Sequence, residues 1–156
     1  MPITLLHFGL LAPLNYIAPG KVSNISFIVV SLWMDGNSIL YALFGLSGVA
    51  HGSEHSFLGA SLLAAFIALF GARSLKWVMG AFIGGISHVL LDMLVHPEMS
   101  PLLPITGNQF YRGWMEPFSL ALLPLTVWLI VQYVSGVMGW LAKRREVRRA
   151  ALNSEL

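Results

Sequence analysis

Long apolar stretches separated by short polar interruptions dominate the chain: Ile3 to Pro19, Val22 to Ser47, Ser56 to Ala72, Lys76 to Val95, and Phe118 to Ala142. A helix needs about 20 mostly apolar residues to cross a bilayer, and it satisfies its own backbone hydrogen bonds where lipid cannot. The pattern therefore predicts an all-α integral membrane bundle of about five transmembrane helices. The second stretch carries Asp35-Gly36-Asn37-Ser38, a turn-like polar cluster that predicts a break in mid-membrane or a division into two half-helices. Gly80, Ala81, Gly84 and Gly85 form a small-residue face suited to close helix packing. The chain reads as a single transmembrane domain over residues 1–142 followed by a basic tail over 143–156.

Composition strengthens this picture. Hydrophobic residues make up 56% of the 156 and charged ones 10%, against about a quarter charged in an ordinary soluble domain. A mean hydropathy of +0.74 argues against a water-soluble monomer. The start, Met1-Pro2-Ile3-Thr4-Leu5-Leu6-His7, has no basic n-region, so no cleaved leader is expected.

The basic residues set an expected orientation. Lys21, Arg73, Lys76 and the run Lys143-Arg144-Arg145-Glu146-Val147-Arg148-Arg149 fall on one side of a five-span topology, with Arg112 opposite. Lys and Arg accumulate in cytoplasmic loops. The N-terminus is then outside and the C-terminus cytoplasmic, with the Ala50 to Ser56 connection and the Pro97 to Pro117 loop outside. In a bacterium this is a multi-pass protein of the inner membrane. The basic run reads as a topology anchor, so the expected partners are membrane lipids and not nucleic acid; self-association into a homo-oligomer is left open.

Ionisable residues within spans need a reason, since Asp at the centre of a helix costs about 2.5–3.5 kcal/mol on insertion scales. His7 lies in the first stretch, Asp35 in the interrupted second, His51 and His55 at the start of the third, and His88, Asp92 and His96 along the fourth. Residues four apart share a helix face, so His51 with His55, and His88 with Asp92 and His96, predict two ladders of imidazole and carboxylate. The orientation, derived without these residues, places all seven towards the outer side.

Taken singly, each also fits a structural role: an interhelical hydrogen bond, a helix cap at Asp35, a dipole partner at His96. Glu54, Glu98 and Glu116 are expected to face solvent. With no cysteine, the available metal ligands are His, Asp and Glu. The seven together predict a divalent metal site: Zn2+ first, Mn2+ or Fe2+ behind it. Asp35 and Asp92 are the candidate catalytic carboxylates.

The order His7, Asp35, His51-Gly52-Ser53-Glu54-His55-Ser56, then Gly85-Ile86-Ser87-His88-Val89-Leu90-Leu91-Asp92 and His96-Pro97-Glu98-Met99-Ser100-Pro101-Leu102-Leu103-Pro104 resembles the YdjM-type family of bacterial inner-membrane proteins, described as metal-dependent hydrolases. The resemblance covers Met1 to Asn108. It implies that His51, His55, His88 and Asp92 are the leading metal ligands, with Asp35 and His7 next. Asn37 stands where family members often carry a second acidic residue.

The expected function is a membrane-embedded metal-dependent hydrolase acting on a lipid-linked or amphiphilic ester or phosphoester at the outer face. The alternatives are a metal-ion transporter or sensor, which needs a polar path to the inner face, and a non-catalytic membrane assembly protein held together by its polar cluster.

Overall fold

The computed structural model describes residues 4–45, 51–71 and 74–154. No strand occurs among the described residues, and the fold is all-α. α1 (Thr4–His7) passes through a 3-10 turn (Phe8–Leu10) into α2 (Leu11–Ile17). Then come α3 (Asn24–Met34), α4 (Gly36–Phe44), α5 (Phe57–Leu69), α6 (Leu75–Asp92) and α7 (Met115–Ser154).

α3 starts where the Ser23 side chain accepts a hydrogen bond from the Ser26 backbone N–H, relieving one of the unpaired donors of a helix N-terminus. It ends at Asp35, whose φ of −81° and ψ of 0° lie in the bridge region between helix and strand. The interruption occupies one residue: the Asp35 N–H still reaches the Ser31 carbonyl (3.3 Å), and its own carbonyl accepts from Ile39 N–H (2.9 Å). The polar cluster thus divides the second stretch as expected. α4 stops at Gly45, which takes the left-handed conformation with φ of 64° that glycine adopts without strain.

α6 packs between α3 and α5, and its small residues permit the approach. A Cβ at Gly80 would overlap the Ser23 carbonyl oxygen and Ser26 Oγ, one at Gly84 would lie 2.8 Å from the Phe27 carbonyl oxygen, and one at Gly85 3.2 Å from that of Ala60. The glycine face is therefore used inside the chain. Ser26 Oγ, buried in this contact, donates to the Trp77 carbonyl at 2.8 Å. Val30, Met34, Ala60, Ala64, Ile67 and Ala81 form the adjoining apolar core. α7 packs on the first helical segment, where a Cβ at Gly9 would come within 2.7 Å of Thr126 Oγ1.

Two helices are long and apolar enough to cross a membrane: α6, with 18 residues, and the 29-residue Ser119–Val147 portion of α7. Phe8–Ile17, Asn24–Met34 and Phe57–Leu69 are apolar but shorter. The 13 residues of α5 reach about 20 Å at 1.5 Å each, against a hydrocarbon core of about 30 Å. Of the five full-length spans expected, the described residues thus contain two. The 3-10 turn and the break at Asp35 shorten regular helix within stretches whose composition alone suits a span. α7 also runs on past Ala142 to Ser154, so the basic run continues this helix, with the Arg144 guanidinium 4.4 Å over the Trp140 ring. Ala50, Arg73 and the second stretch beyond Gly45 lie outside the described residues.

The ends of this core differ. α3 and α6 finish, and α5 begins, at the end that carries Asp35, His55 and Asp92. At the other end α3 and α6 start together, with the Ser23 N–H donating to the Lys76 carbonyl at 2.9 Å, and Lys21 and Lys76 are exposed.

Candidate metal centre

His88 and Asp92 face the same way from the last turns of α6, and Nε2 of His88 lies 3.1 Å from Oδ2 of Asp92. From the α3–α4 joint, Oδ1 of Asp35 approaches Nε2 of His88 and Nε2 of His55, each at 3.3 Å. Nε2 of His55 stands 3.8 Å from Oδ2 of Asp92. One ligand atom from each of Asp35, His55, His88 and Asp92 thus lies within 4.8 Å of the other three. His55, His88 and Asp92 are each 1% exposed and Asp35 7%.

His55 arrives from a 3-10 turn, Ser53–His55, ahead of α5. Ser56 locks that turn to the helix: its hydroxyl donates to the Ser53 carbonyl (2.7 Å) and accepts from the Gly59 N–H (2.9 Å). His51 and His55 therefore do not share a helix face, as their spacing had predicted. Their rings still meet, with centroids 4.8 Å apart, because the tight turn brings residue 51 back over residue 55.

The four ligand atoms fit a metal. In a tetrahedral zinc site with bonds of about 2.0–2.1 Å, neighbouring ligand atoms stand about 3.3–3.4 Å apart, and the nitrogen–oxygen separations here run from 3.1 to 3.8 Å. The His55–Asp35 approach is also aligned as a hydrogen bond. In contrast, Nε2 of His88 and both carboxylate oxygens of Asp92 are buried with no hydrogen-bond partner among the described residues. Leaving such groups unpaired is expensive, and a divalent cation bound in the cluster would take up Nε2 of His88 and Oδ2 of Asp92, which lie 3.1 Å apart.

The remaining residues surround Asp92. Nε2 of His7 lies 3.2 Å from its Oδ1, and the His7 ring meets that of His88 edge-on at 4.3 Å; His7 belongs to neither group of converging ligand atoms. His96 sits one turn beyond α6, its N–H reaching the Asp92 carbonyl at 2.8 Å. Its ring stacks near that of His51, 3.9 Å between centroids, and His51, Asp92 and His96 form a second converging group. All seven residues singled out in the sequence therefore gather at one end of the core.

Three contributors escaped the sequence. Glu98, expected in solvent, keeps a half-exposed side chain, yet its Oε1 reaches to 2.9 Å from Nδ1 of His51 and 3.3 Å from Nδ1 of His96. Its place two residues after His96, across Pro97, was the available signal. Asn108 donates through Nδ2 to the carbonyls of Met93 (2.6 Å) and His96 (2.7 Å), pinning the turn that presents His96; nothing in its local sequence marks it. Glu54 also turns inward: Oε1 accepts from the Gly52 N–H (3.3 Å) and lies 3.6 Å from Nδ1 of His55. The Glu116 side chain lies outside the described residues.

Beyond the end of α6 the electrostatics favour metal-ready imidazoles. Burial lowers the pKa of His51, and the neighbouring His96 and His55 lower it further. Burial likewise lowers that of His96, against the pull of Asp92 and Glu98. For Glu98 burial acts upwards, but its own backbone hydrogen bond with His96 and His51 outweighs it and the pKa falls. Neutral imidazole beside ionised carboxylate is the protonation state that binds metal.

The family model of the YdjM inner membrane protein matches residues 10–153. The chain belongs to that family. Neither the curated proteins nor the solved structures contain a match. YdjM membership and the two long apolar helices place the protein in a membrane. Within this YdjM chain the buried Asp and His cluster could hold a metal ion.

Proposed function

We propose that this protein is a multi-pass, metal-dependent hydrolase of the bacterial inner membrane that cleaves a lipid-linked or amphiphilic ester or phosphoester at the outer face. The observation that carries this reading is the buried convergence of Asp35, His55, His88 and Asp92, in which Nε2 of His88 and the Asp92 carboxylate have no hydrogen-bond partner among the described residues. Zn2+ suits this mixed imidazole and carboxylate set best, ahead of Mn2+ and Fe2+. Such an ion supplies Lewis acidity towards a carbonyl or phosphoryl oxygen.

The chain's own groups do the rest. Asp35 and Asp92 bring negative charge into a buried site. His7, 3.2 Å from Asp92, orients that carboxylate, as partners behind a ligand do. Glu54, 3.6 Å from Nδ1 of His55, stands beside the ring as a charge rather than as its hydrogen-bond acceptor.

Access supports an amphiphilic substrate. A partly open cavity of about 460 Å³, lined by Trp33, Gly36, Leu40, Glu54 and Leu63, adjoins the cluster where Gly36 follows Asp35 and Glu54 precedes His55. Three of its five lining side chains are large and apolar, which suits an acyl or isoprenoid chain arriving from the bilayer.

Exposed Leu32, Trp33, Leu43, Phe66 and Leu69 on α3, α4 and α5 support a multi-pass arrangement in which the shorter apolar helices also contact lipid. Lys21 and Lys76, exposed at the end opposite the cluster, support a cytoplasmic C-terminus and an outer site. Residues 1–142 then form the membrane domain and 143–156 a basic cytoplasmic extension. Between the cluster and the basic end the core of α3, α5 and α6 holds Val30, Ala64, Ile67 and Ala81 with the hydroxyls of Ser26 and Ser31 and no ionisable group among the described buried residues, which favours hydrolysis over ion passage.

The test is metal analysis of detergent-purified protein, followed by hydrolysis assays on a panel of lipid esters and phosphoesters. Bound metal with hydrolysis, both lost in His88→Ala, is the expected result. A wild-type protein that stays folded and binds no added divalent metal would overturn the reading. Metal uptake into proteoliposomes without hydrolysis would favour transport.

A further inference from the structure

The geometry points to a second divalent cation site beside the first, formed by His51, His96 and Glu98, with Asp92 shared between the two ions. This rests on the metal-dependent reading above and deepens it from a one-ion to a two-ion centre.

Three observations carry it. First, the ligand atoms fall into two groups rather than one: Asp35, His55, His88 and Asp92 converge, and His51, His96 and Asp92 converge separately, with Asp92 in both. The first group already offers one ion four protein ligands, with substrate able to enter by expansion to five-coordination, and it leaves His51 and His96 over. The two oxygens of one carboxylate can serve two cations.

Second, the His51 imidazole offers a buried nitrogen without a hydrogen-bond partner among the described residues. Nδ1 of His51 is buried, and although Oε1 of Glu98 stands 2.9 Å away, the pair is out of hydrogen-bond alignment, so the nitrogen has no such partner among the described residues. A buried nitrogen and a carboxylate oxygen this close are placed as two ligands of one cation would be. Nδ1 of His96 lies 3.3 Å from the same oxygen, close to the spacing of about 3.3–3.4 Å expected on a tetrahedral ion.

Third, Glu98 behaves unlike a solvent-facing glutamate. Its side chain is 49% exposed, yet it reaches inward to two buried imidazoles. The exposed part of Glu98 borders solvent, so an ion held by it would have a position open to water, as catalytic ions require. Paired ions stabilise both the attacking and the leaving oxygen of a displacement, so a two-ion centre fits a phosphoester better than a carboxylic ester. The inferred substrate class is therefore a lipid phosphoester.

The experiment is metal stoichiometry and spectroscopy on the full chain in detergent. Metal-stripped protein is loaded with Zn2+, desalted and analysed by elemental mass spectrometry, and a parallel sample is loaded with Mn2+ for electron paramagnetic resonance. The expected result is two equivalents in the wild type and one in His96→Ala and Glu98→Gln, with an exchange-coupled Mn2+ pair in the wild type that becomes an isolated-ion spectrum in both variants. Glu98→Gln keeps the shape of a half-exposed side chain, so its folding, followed by circular dichroism, guards against a structural loss. One equivalent in the wild type, unchanged by Glu98→Gln and His96→Ala but lost in His88→Ala, would overturn the second site while leaving the one-ion reading intact. No metal in folded wild type would remove both.

Discussion

Nε2 of His88 and Oδ1 of Asp35 lie 3.3 Å apart, joining the end of α6 to the single non-helical residue between α3 and α4. Neither side chain could be buried there alone without a large desolvation penalty. The same carboxylate oxygen also approaches His55, so three chain segments meet at one point, and the predictions concern what holds them there.

Metal should stabilise the fold. An ion present at 100 times its dissociation constant adds about 2.7 kcal/mol, or about 5–10 °C in Tm for a chain of this size. Chelation should lower the wild-type Tm by that amount in a detergent thermal scan. The shift should vanish in Asp92→Asn; an equal shift in the variant would mean that the metal acts elsewhere.

Helix packing should fail at one glycine and not at another. Gly80→Ala forces a methyl into the Ser23 carbonyl and Ser26 Oγ and should destabilise by about 1–3 kcal/mol. Gly136→Ala, with nothing within 4 Å of the added Cβ, should be neutral or slightly stabilising, since alanine favours helix. Tm measured side by side on the two variants checks the contrast.

Acid should weaken the metal-free protein through His51 and His96. Both pKa values are lowered in the fold, so between the folded value and about 6.5 the unfolded chain binds more protons. Stability is then fully present above pH 6.5 and declines as pH falls through that window. The metal-free Tm should drop on acidification from pH 7, and less steeply in the double variant His51→Asn with His96→Asn; identical slopes would count against this assignment.

Asn108 should matter despite lying far from the helices in sequence. Asn108→Ala removes both hydrogen bonds to the carbonyls of Met93 and His96, at about 1–3 kcal/mol for each buried acceptor left unpaired. Limited proteolysis of the loop before α7 should accelerate, and Asn108→Asp, which keeps the shape but cannot donate, should behave like the alanine variant.

If hydrolysis is found, the apolar cavity should govern chain recognition. Trp33→Ala and Leu63→Ala should raise KM for a long-chain substrate while leaving kcat for a short, soluble analogue unchanged. Equal losses for both substrates would place the cavity's role in folding.

The sequence alone determined the helical membrane class, because lipid tolerates only self-satisfied backbone and the apolar stretches are long. It also marked Asp35-Gly36-Asn37-Ser38 as a place for a break, which the structure puts at Asp35, and it singled out His7, Asp35, His51, His55, His88, Asp92 and His96, since ionisable groups in apolar stretches are conspicuous. His88 and Asp92 were legible as a pair because helical periodicity acts over four residues. Tertiary structure alone decided which partners meet across segments: Asp35 with His88, His7 with Asp92, Glu98 with His51 and His96. It also decided that residues 53–55 form a 3-10 turn rather than the start of α5, and that several apolar stretches yield helices shorter than a span. The physical reason is range: periodicity and hydropathy are local properties of the chain, whereas the burial of Asp92 and the inward reach of Glu98 are set by segments that become neighbours only after α3 and α5 pack against the glycines of α6.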